Sequence, residues 1–178
     1  MPRLFTGIKI PSSICDQLSL IQYGLLGARW IEPHDFHITL RFIGDVDDDL
    51  ANDLADEFAR ISTAPFTLQL KSVGAFGNER PRMVWAGVEK SPPLEQLYST
   101  HEIIAQRLGL KAEGRKFTPH VTLARFKPGQ ISDVGTYLID HSQFQSLEFE
   151  VSSFELYSAK ASRGGGPYII EQSYELFG

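Results

Sequence analysis

The chain has 178 residues, 42% of them hydrophobic and 22% charged, with a net charge of −5. That length buries a sizeable core, in one domain or in two small lobes sharing a cleft. The acidic balance argues against a broad, sequence-independent nucleic-acid surface, which needs a basic excess. A single cysteine, Cys15, leaves no disulfide framework within the chain. The start, Met1-Pro-Arg-Leu-Phe-Thr-Gly-Ile, does not read as a signal peptide. No apolar stretch approaches the ~20 residues of a membrane span, so a cytoplasmic protein without a membrane partner is expected.

In chain order, Leu4 to Ile10 reads as a strand, and Pro11-Ser12-Ser13 opens a helix with Ser12 or Ser13 as N-cap. Ile14, Leu18, Ile21 and Leu25 give that helix one apolar stripe. Arg29-Trp30-Ile31 is a short strand candidate, and a strand from about Phe36 to Ile43 follows the turn at His34-Asp35. Asp47-Asp48-Asp49 suits the positive end of a helix dipole, with Leu50, Leu54, Phe58 and Ile61 on its buried side. Phe66 to Phe76 alternates as a strand, and Met83 to Val88 is another. Ser91-Pro92-Pro93 starts a helix carrying Leu94, Leu97, Ile104 and Leu108. A cationic loop with Lys111, Arg115 and Lys116 leads into a strand from about Phe117 to Phe126. A helix over Ile131 to Ile139, a strand over Leu147 to Tyr157, a glycine-rich loop from Lys160 to Pro167 and a strand from Tyr168 to Leu176 complete the chain.

Two of these strands carry the same pattern, His37-Ile38-Thr39-Leu40 and His120-Val121-Thr122-Leu123. Alternate side chains of a strand share a face. Each copy therefore offers one imidazole and one hydroxyl on one face, backed by apolar anchors on the other. The order of elements over residues 4 to 88 repeats over 83 to 176, as in a duplicated supersecondary unit. Because regular βαβ spacing is absent, the expected class is α+β, with antiparallel sheets and helices packed outside. Such a duplication can turn the two strands toward each other across a pseudo-twofold axis.

Two imidazoles with an ordinary pKa near about 6.5 can hold one neutral and one protonated member at neutral pH. That is the requirement for paired general acid and base catalysis. Two threonine hydroxyls can donate to an oxyanion between them. A phosphodiester, with attacking and leaving oxygens on opposite sides, fits the set, and a strained 2′,3′-cyclic phosphate fits it especially well. Metal binding is the rival use of two histidines, but neither strand has Asp or Glu on its histidine face. By strand parity Arg41 lies on the face of His37, whereas Arg125 lies opposite His120 and reaches it only through a twist or bulge.

Phe36-His37-Ile38-Thr39-Leu40-Arg41-Phe42-Ile43-Gly44 together with Phe117-Thr118-Pro119-His120-Val121-Thr122-Leu123-Ala124-Arg125 resembles the paired H-x-T-x signature of the two-histidine phosphoesterases. Arg3-Leu4-Phe5, Arg82-Met83-Val84-Trp85-Ala86-Gly87-Val88 and the glycine-rich loop narrow the resemblance to RNA 2′,3′-cyclic phosphodiesterases, once named 2′-5′ RNA ligases. The resemblance implies a bilobal α+β domain over residues 1–178, with two antiparallel sheets flanking a central cleft, no metal and no cofactor. It implies hydrolysis of a terminal 2′,3′-cyclic phosphate to a 2′-phosphate, on RNA 3′ ends or small nucleotides, and allows the reverse 2′-5′ joining. It carries His37 as proton donor, His120 as proton acceptor, Thr39 and Thr122 as phosphate ligands, and Arg125 as a further phosphate contact. Arg41 is kept beside Arg125 on parity. A monomer is expected.

The remaining candidates have plain structural alternatives. Phe5 and Trp85 can stack on a base or fill the core. Arg80, Arg82, Arg115 and Lys116 can meet an RNA backbone or simply face solvent. Gly164-Gly165-Gly166 reads as a hairpin tip or a phosphate cradle, Cys15 as a small buried residue, and His34, His101 and His141 have no assigned role. The competing function is a module that binds an RNA end or nucleotide without turning it over.

Overall fold

The computed structural model describes residues 3–159 and 166–178. Most of the glycine-rich segment read above lies outside them. The chain runs β1 (Arg3–Lys9), α1 (Ser12–Ser19), β2 (Arg29–Trp30), a 3-10 turn (Pro33–Asp35), β3 (His37–Asp45), α2 (Asp48–Ala59), β4 (Phe66–Leu68), β5 (Leu70–Phe76), β6 (Met83–Val88), α3 (Pro92–Arg107), β7 (His120–Arg125), α4 (Val134–Asp140), β8 (Phe149–Val151), β9 (Ser153–Ala159) and β10 (Tyr168–Glu175). The strands form two antiparallel sheets, and with the helices they make the expected α+β fold.

The large sheet has the order β10-β9-β1-β3-β7-β6-β5, with β2 also on β7. Its middle is the pair of motif strands, joined by one register pair, Ile38 with Val121. The order shows how the duplication closes. β5 ends the first half of the chain but pairs with β6 of the second, and β9 of the second half pairs with β1 of the first. The strands just before them, β4 and β8, pair with each other as the small sheet. Each half thus lends a strand to the other.

This exchange explains two differences from the sequence reading. Phe66 to Phe76 and Leu147 to Tyr157 alternate without interruption, but each is two strands in different sheets. The chain passes from the small sheet to the large one at Gln69, and does so again at Ser152. The first crossing is tied to the segment ahead of β8, since the Leu70 amide donates to Ser146 Oγ and Gln69 Nε2 donates to the Ser146 carbonyl.

Helix starts follow their caps. Asp47 Oδ1 accepts from the Leu50 amide, and Ser91 Oγ from the Leu94 amide, as N-caps do. At α1 neither Ser12 nor Ser13 caps. Pro11 holds that position with its fixed backbone angle and no side-chain bond. The helix is also shorter than its stripe, ending at Ser19, with Ile21 and Leu25 buried from the following turn. One continuous apolar core takes in Ile38 and Leu40 of β3, Val121 and Leu123 of β7, and the inner faces of the helices. The opposite face of the motif strands is left for His37, Thr39, His120 and Thr122, all half-buried.

Candidate active site

The pairing of Ile38 with Val121 fixes the centre of the site. In an antiparallel pair the flanking residues alternate, so His37 lies beside Thr122 and Thr39 beside His120. Each imidazole thus faces the hydroxyl of the other motif. Both rings are anchored alike. His37 Nδ1 is 2.8 Å from the Asp35 carbonyl, and His120 Nδ1 is 2.7 Å from the Thr118 carbonyl. A carbonyl only accepts, so each Nδ1 carries the proton and each Nε2 is the working nitrogen. The Thr39 hydroxyl lies 3.1 Å from His37 Nε2 and donates to it when the ring is neutral.

Aromatic rings box in both imidazoles. His37 lies 5.0 Å from Phe5, 5.4 Å from Tyr157 and 5.0 Å from Tyr168, the last edge-on. His120 lies 4.9 Å from Phe76, edge-on, and 5.7 Å from Trp85. Phe5 is buried and Trp85 partly so, and both act as walls for the histidines. Gly74, opposite Trp85, makes room for the indole: a Cβ there would lie 2.3 Å from the ring.

Burial sets the charge state. His37 is pushed down to about 4, chiefly by desolvation, and further by the charges of His120 and Arg125. The Asp35 carbonyl and carboxylate pull it partly back. Burial also lowers His120, with the Thr118 carbonyl opposing and Arg125 adding to the shift. Both rings are therefore neutral in the free protein near pH 7.

The placement of the arginines turns on two bulges. Between Gly7–Thr39 and Thr6–Arg41 the register of β1 and β3 slips by one, which leaves Leu40 extra. Between Trp85–Thr122 and Val84–Ala124 that of β6 and β7 slips likewise, which leaves Leu123 extra. Each bulge follows its motif threonine and buries two successive residues, Leu40 with Arg41 and Leu123 with Ala124. Alternation restarts one residue late. By that register Arg125 is returned to the imidazole face, and its charge lowers the pKa of both histidines. Parity placed Arg41 on that face, and the bulge turns it away. Its guanidinium is committed to Glu102 Oε2 at 2.5 Å, the Phe42 carbonyl at 2.5 Å and the Lys111 carbonyl at 2.6 Å. It ties β3 to α3 and to the loop ahead of the second motif.

Phe42 takes the place on the face that Arg125 holds in the other motif, and is 52% exposed. It lines a cavity of about 390 Å3 that opens where β3 and the segment before β7 part, with Thr39, Phe76, Arg82, Lys116 and His120 around it. Arg115 also lines it, with its fork on Glu113 at 3.1 and 3.2 Å. Sequence reading passed over Phe42, although alignment of the two motifs sets it against Arg125. Asp35, which shares the parity of His37 but reads from the sequence as a turn residue and a weak metal ligand, accepts from the Tyr168 amide at 3.2 Å with its carboxylate and so holds β10 against His37. His34 stands mostly exposed 3.5 Å from that carboxylate, while His101 and His141 are buried elsewhere. Among the described residues no three His, Cys, Asp or Glu side chains gather as a metal would require.

Comparison with known proteins agrees with this geometry. The family model of LigT-like phosphoesterases matches residues 8–85 and 87–168, one match for each motif. A Thermotoga maritima protein named RNA 2′,3′-cyclic phosphodiesterase is 31% identical over 175 residues, covering 94% of this chain and 92% of its own. One of the same name from Aeropyrum pernix is 35% identical over 143 residues, covering 79% and 81%. Among solved structures, a Thermus thermophilus protein superposes with a TM-score of 0.82 at 25% identity, covering 99% of this chain and 98% of that one. E. coli LigT complexed with 3′-AMP gives 0.77 at 27% identity, covering 99% of both chains. With both motifs on one face of an exchanged-strand sheet and a family match across both halves, the chain belongs to the LigT-like phosphoesterase family.

Proposed function

We propose that this protein is an RNA 2′,3′-cyclic phosphodiesterase that opens a terminal cyclic phosphate to a 2′-phosphate. The observation that carries the reading is the matched anchoring of the two imidazoles. Each donates Nδ1–H to a carbonyl two residues earlier and turns Nε2 to the shared face. The names of the Thermotoga and Aeropyrum relatives support the substrate class.

In this mechanism the cyclic phosphate lies between the rings, and its negative charge raises the low affinity of His37 for a proton. His120 Nε2 takes a proton from water as the water oxygen bonds to phosphorus. The bond from phosphorus to the ribose 3′-oxygen breaks, and His37 Nε2–H gives that oxygen its proton. Thr39 and Thr122 donate to the non-bridging oxygens, and Arg125 offers the charge that a pentacoordinate phosphorus gathers. The order of acid and base follows the family resemblance, since the pseudo-twofold geometry treats the two alike. The cavity beside Phe42 is large enough to take the nucleoside, with Phe42 as a stacking face. The same groups can open the ring with a 5′-hydroxyl in place of water as nucleophile, giving a 2′-5′ bond, but water at high concentration favours hydrolysis. Residues 1–178 act as one catalytic unit, as a cytoplasmic monomer. The assignment to one compartment follows the sequence grounds above; among the described residues no helix is long and apolar enough to cross a membrane.

The test is incubation with an RNA oligomer ending in a 2′,3′-cyclic phosphate, with EDTA present, and identification of the terminus. A 2′-phosphate is expected, and His37→Ala and His120→Ala each abolish its formation while circular dichroism stays unchanged. A 3′-phosphate overturns the direction of opening. RNA bound but unchanged points to a binding module instead.

A further inference from the structure

A second cationic place adjoins the phosphate site. Arg29 of β2 stands directly opposite Arg125 of β7, and Met83, the residue after Arg82, flanks Arg125 from the other side. The Arg82 carbonyl accepts from the Phe126 amide, which fixes the start of β6 against the end of β7. Like charges opposite one another weaken a sheet. Burial disfavours the charged form of Arg125 most, Tyr168 opposes, and Arg29 and Arg82 add to the effect; among the described residues no carboxylate acts on it. Arg125 Nε is buried with no hydrogen-bond partner among the described residues. Arg82 also lines the cavity shared with Thr39 and His120. In a chain of net charge −5, a cluster of guanidiniums beside the motifs is a local place of positive charge that suits an anionic ligand.

We infer that Arg29 and Arg82 form a second phosphate subsite, which takes the phosphate one ribose away from the cyclic one, on the 5′ side of the terminal nucleotide. This rests on the function proposed above and narrows its substrate. The preferred ligand carries a 5′-phosphate or an internucleotide phosphate as well as the cyclic group. A bare nucleoside cyclic phosphate fills only the first subsite. Arginine suits the role because its planar fork meets two phosphate oxygens at once.

Binding tests it without relying on turnover. Adenosine 2′-monophosphate and adenosine 2′,5′-bisphosphate are titrated into the protein by calorimetry at fixed low salt. The bisphosphate is expected to bind about ten- to a hundredfold tighter, as charge-assisted hydrogen bonds to one more phosphate provide. Arg29→Ala and Arg82→Ala each shrink that ratio toward one, and Arg82→Lys keeps part of it. Equal affinities in the wild type overturn the subsite, as does an equal loss for both ligands in the variants. Turnover is then compared for adenosine 2′,3′-cyclic phosphate, its 5′-phosphorylated form and a dinucleotide ending in the cyclic phosphate. A preference shared by the last two assigns the gain to the phosphate. A preference for the dinucleotide alone assigns it to the added nucleoside and overturns the subsite. No turnover of any of them, with the binding ratio intact, overturns the proposed function and leaves the subsite standing.

Discussion

Phe42 and Arg125 occupy equivalent places: each is five residues after a motif histidine and is carried onto the imidazole face by a one-residue register slip. One is an exposed aromatic, the other a half-buried cation. Arg125→Ala is expected to lower kcat about a hundredfold, in the range for loss of one donor to a developing charge. Arg125→Lys recovers only part, since an ammonium cannot make a bidentate contact. Phe42→Ala should raise KM about tenfold with a smaller change in kcat, as loss of a stacking face does. Steady-state kinetics on a cyclic-phosphate dinucleotide separates the two.

Proton linkage gives a second prediction. Because both imidazoles are neutral in the free protein, binding of a 2′-phosphate near pH 7 should draw a proton from solution. Calorimetric titration of adenosine 2′-monophosphate in two buffers of different ionisation enthalpy measures this directly. Zero uptake would contradict the charge state assigned to the pair.

Stability should fall with acid from pH 6.5 downward. His37 and His101 are each held at about 4 by burial, whereas in the unfolded chain they titrate near 6.5. The unfolded state therefore binds more protons between those values, so stability is complete above pH 6.5 and is lost as pH falls toward 4. His101, stacked on Phe58 at 5.0 Å and edge-on to Phe154 at 4.7 Å, plays no part in the site. His101→Leu should flatten the decline of urea midpoint between pH 6.5 and 4.5 without altering turnover at pH 7.

The Arg41–Glu102 pair should behave as a buried ion pair, with side chains 8% and 14% exposed. Glu102→Ala leaves the guanidinium without its partner and should cost about 3–5 kcal/mol. Arg41→Met with Glu102→Leu should recover much of that. Chemical denaturation of the wild type and both variants checks it. If the single and double variants were equally destabilised, the penalty would come from lost packing rather than from a stranded charge.

Gly74→Ala tests the wall behind His120. The added Cβ meets the Trp85 ring at 2.3 Å, so the indole must shift. A melting temperature lowered by an overpacking cost of about 1–3 kcal/mol is expected, along with a changed His120 titration by NMR. A normal titration curve would show that the ring of Trp85 does not set the surroundings of His120.

The two motif strands were legible because period-two alternation survives in each tetrapeptide. The α+β class followed from the same patterning. The bulges were not legible, because Leu40 and Leu123 are apolar and suit the buried side whichever way the strand is counted. One hidden residue in each strand reversed the parity, Leu40 that of Arg41 and Leu123 that of Arg125. The breaks at Gln69 and Ser152 were hidden for a related reason: alternation records which face is buried and says nothing about which sheet a strand joins. Tyr157 and Tyr168 reach His37 from strands distant in the sequence, so no local pattern announces them.

The bulges have one more consequence. The repeated tetrapeptides, their carbonyl anchors and their slips in register are alike enough that the scaffold itself reads the same from either end. A cyclic phosphate has two unlike ester oxygens, and a palindromic cradle alone would not distinguish them. The two copies differ just past the tetrapeptides, where the same slip delivers a ring at one end and a cation at the other. Under the proposed mechanism, a symmetric frame with two unlike ornaments becomes a compass, and exchanging Phe42 and Arg125 is expected to alter which ester bond opens.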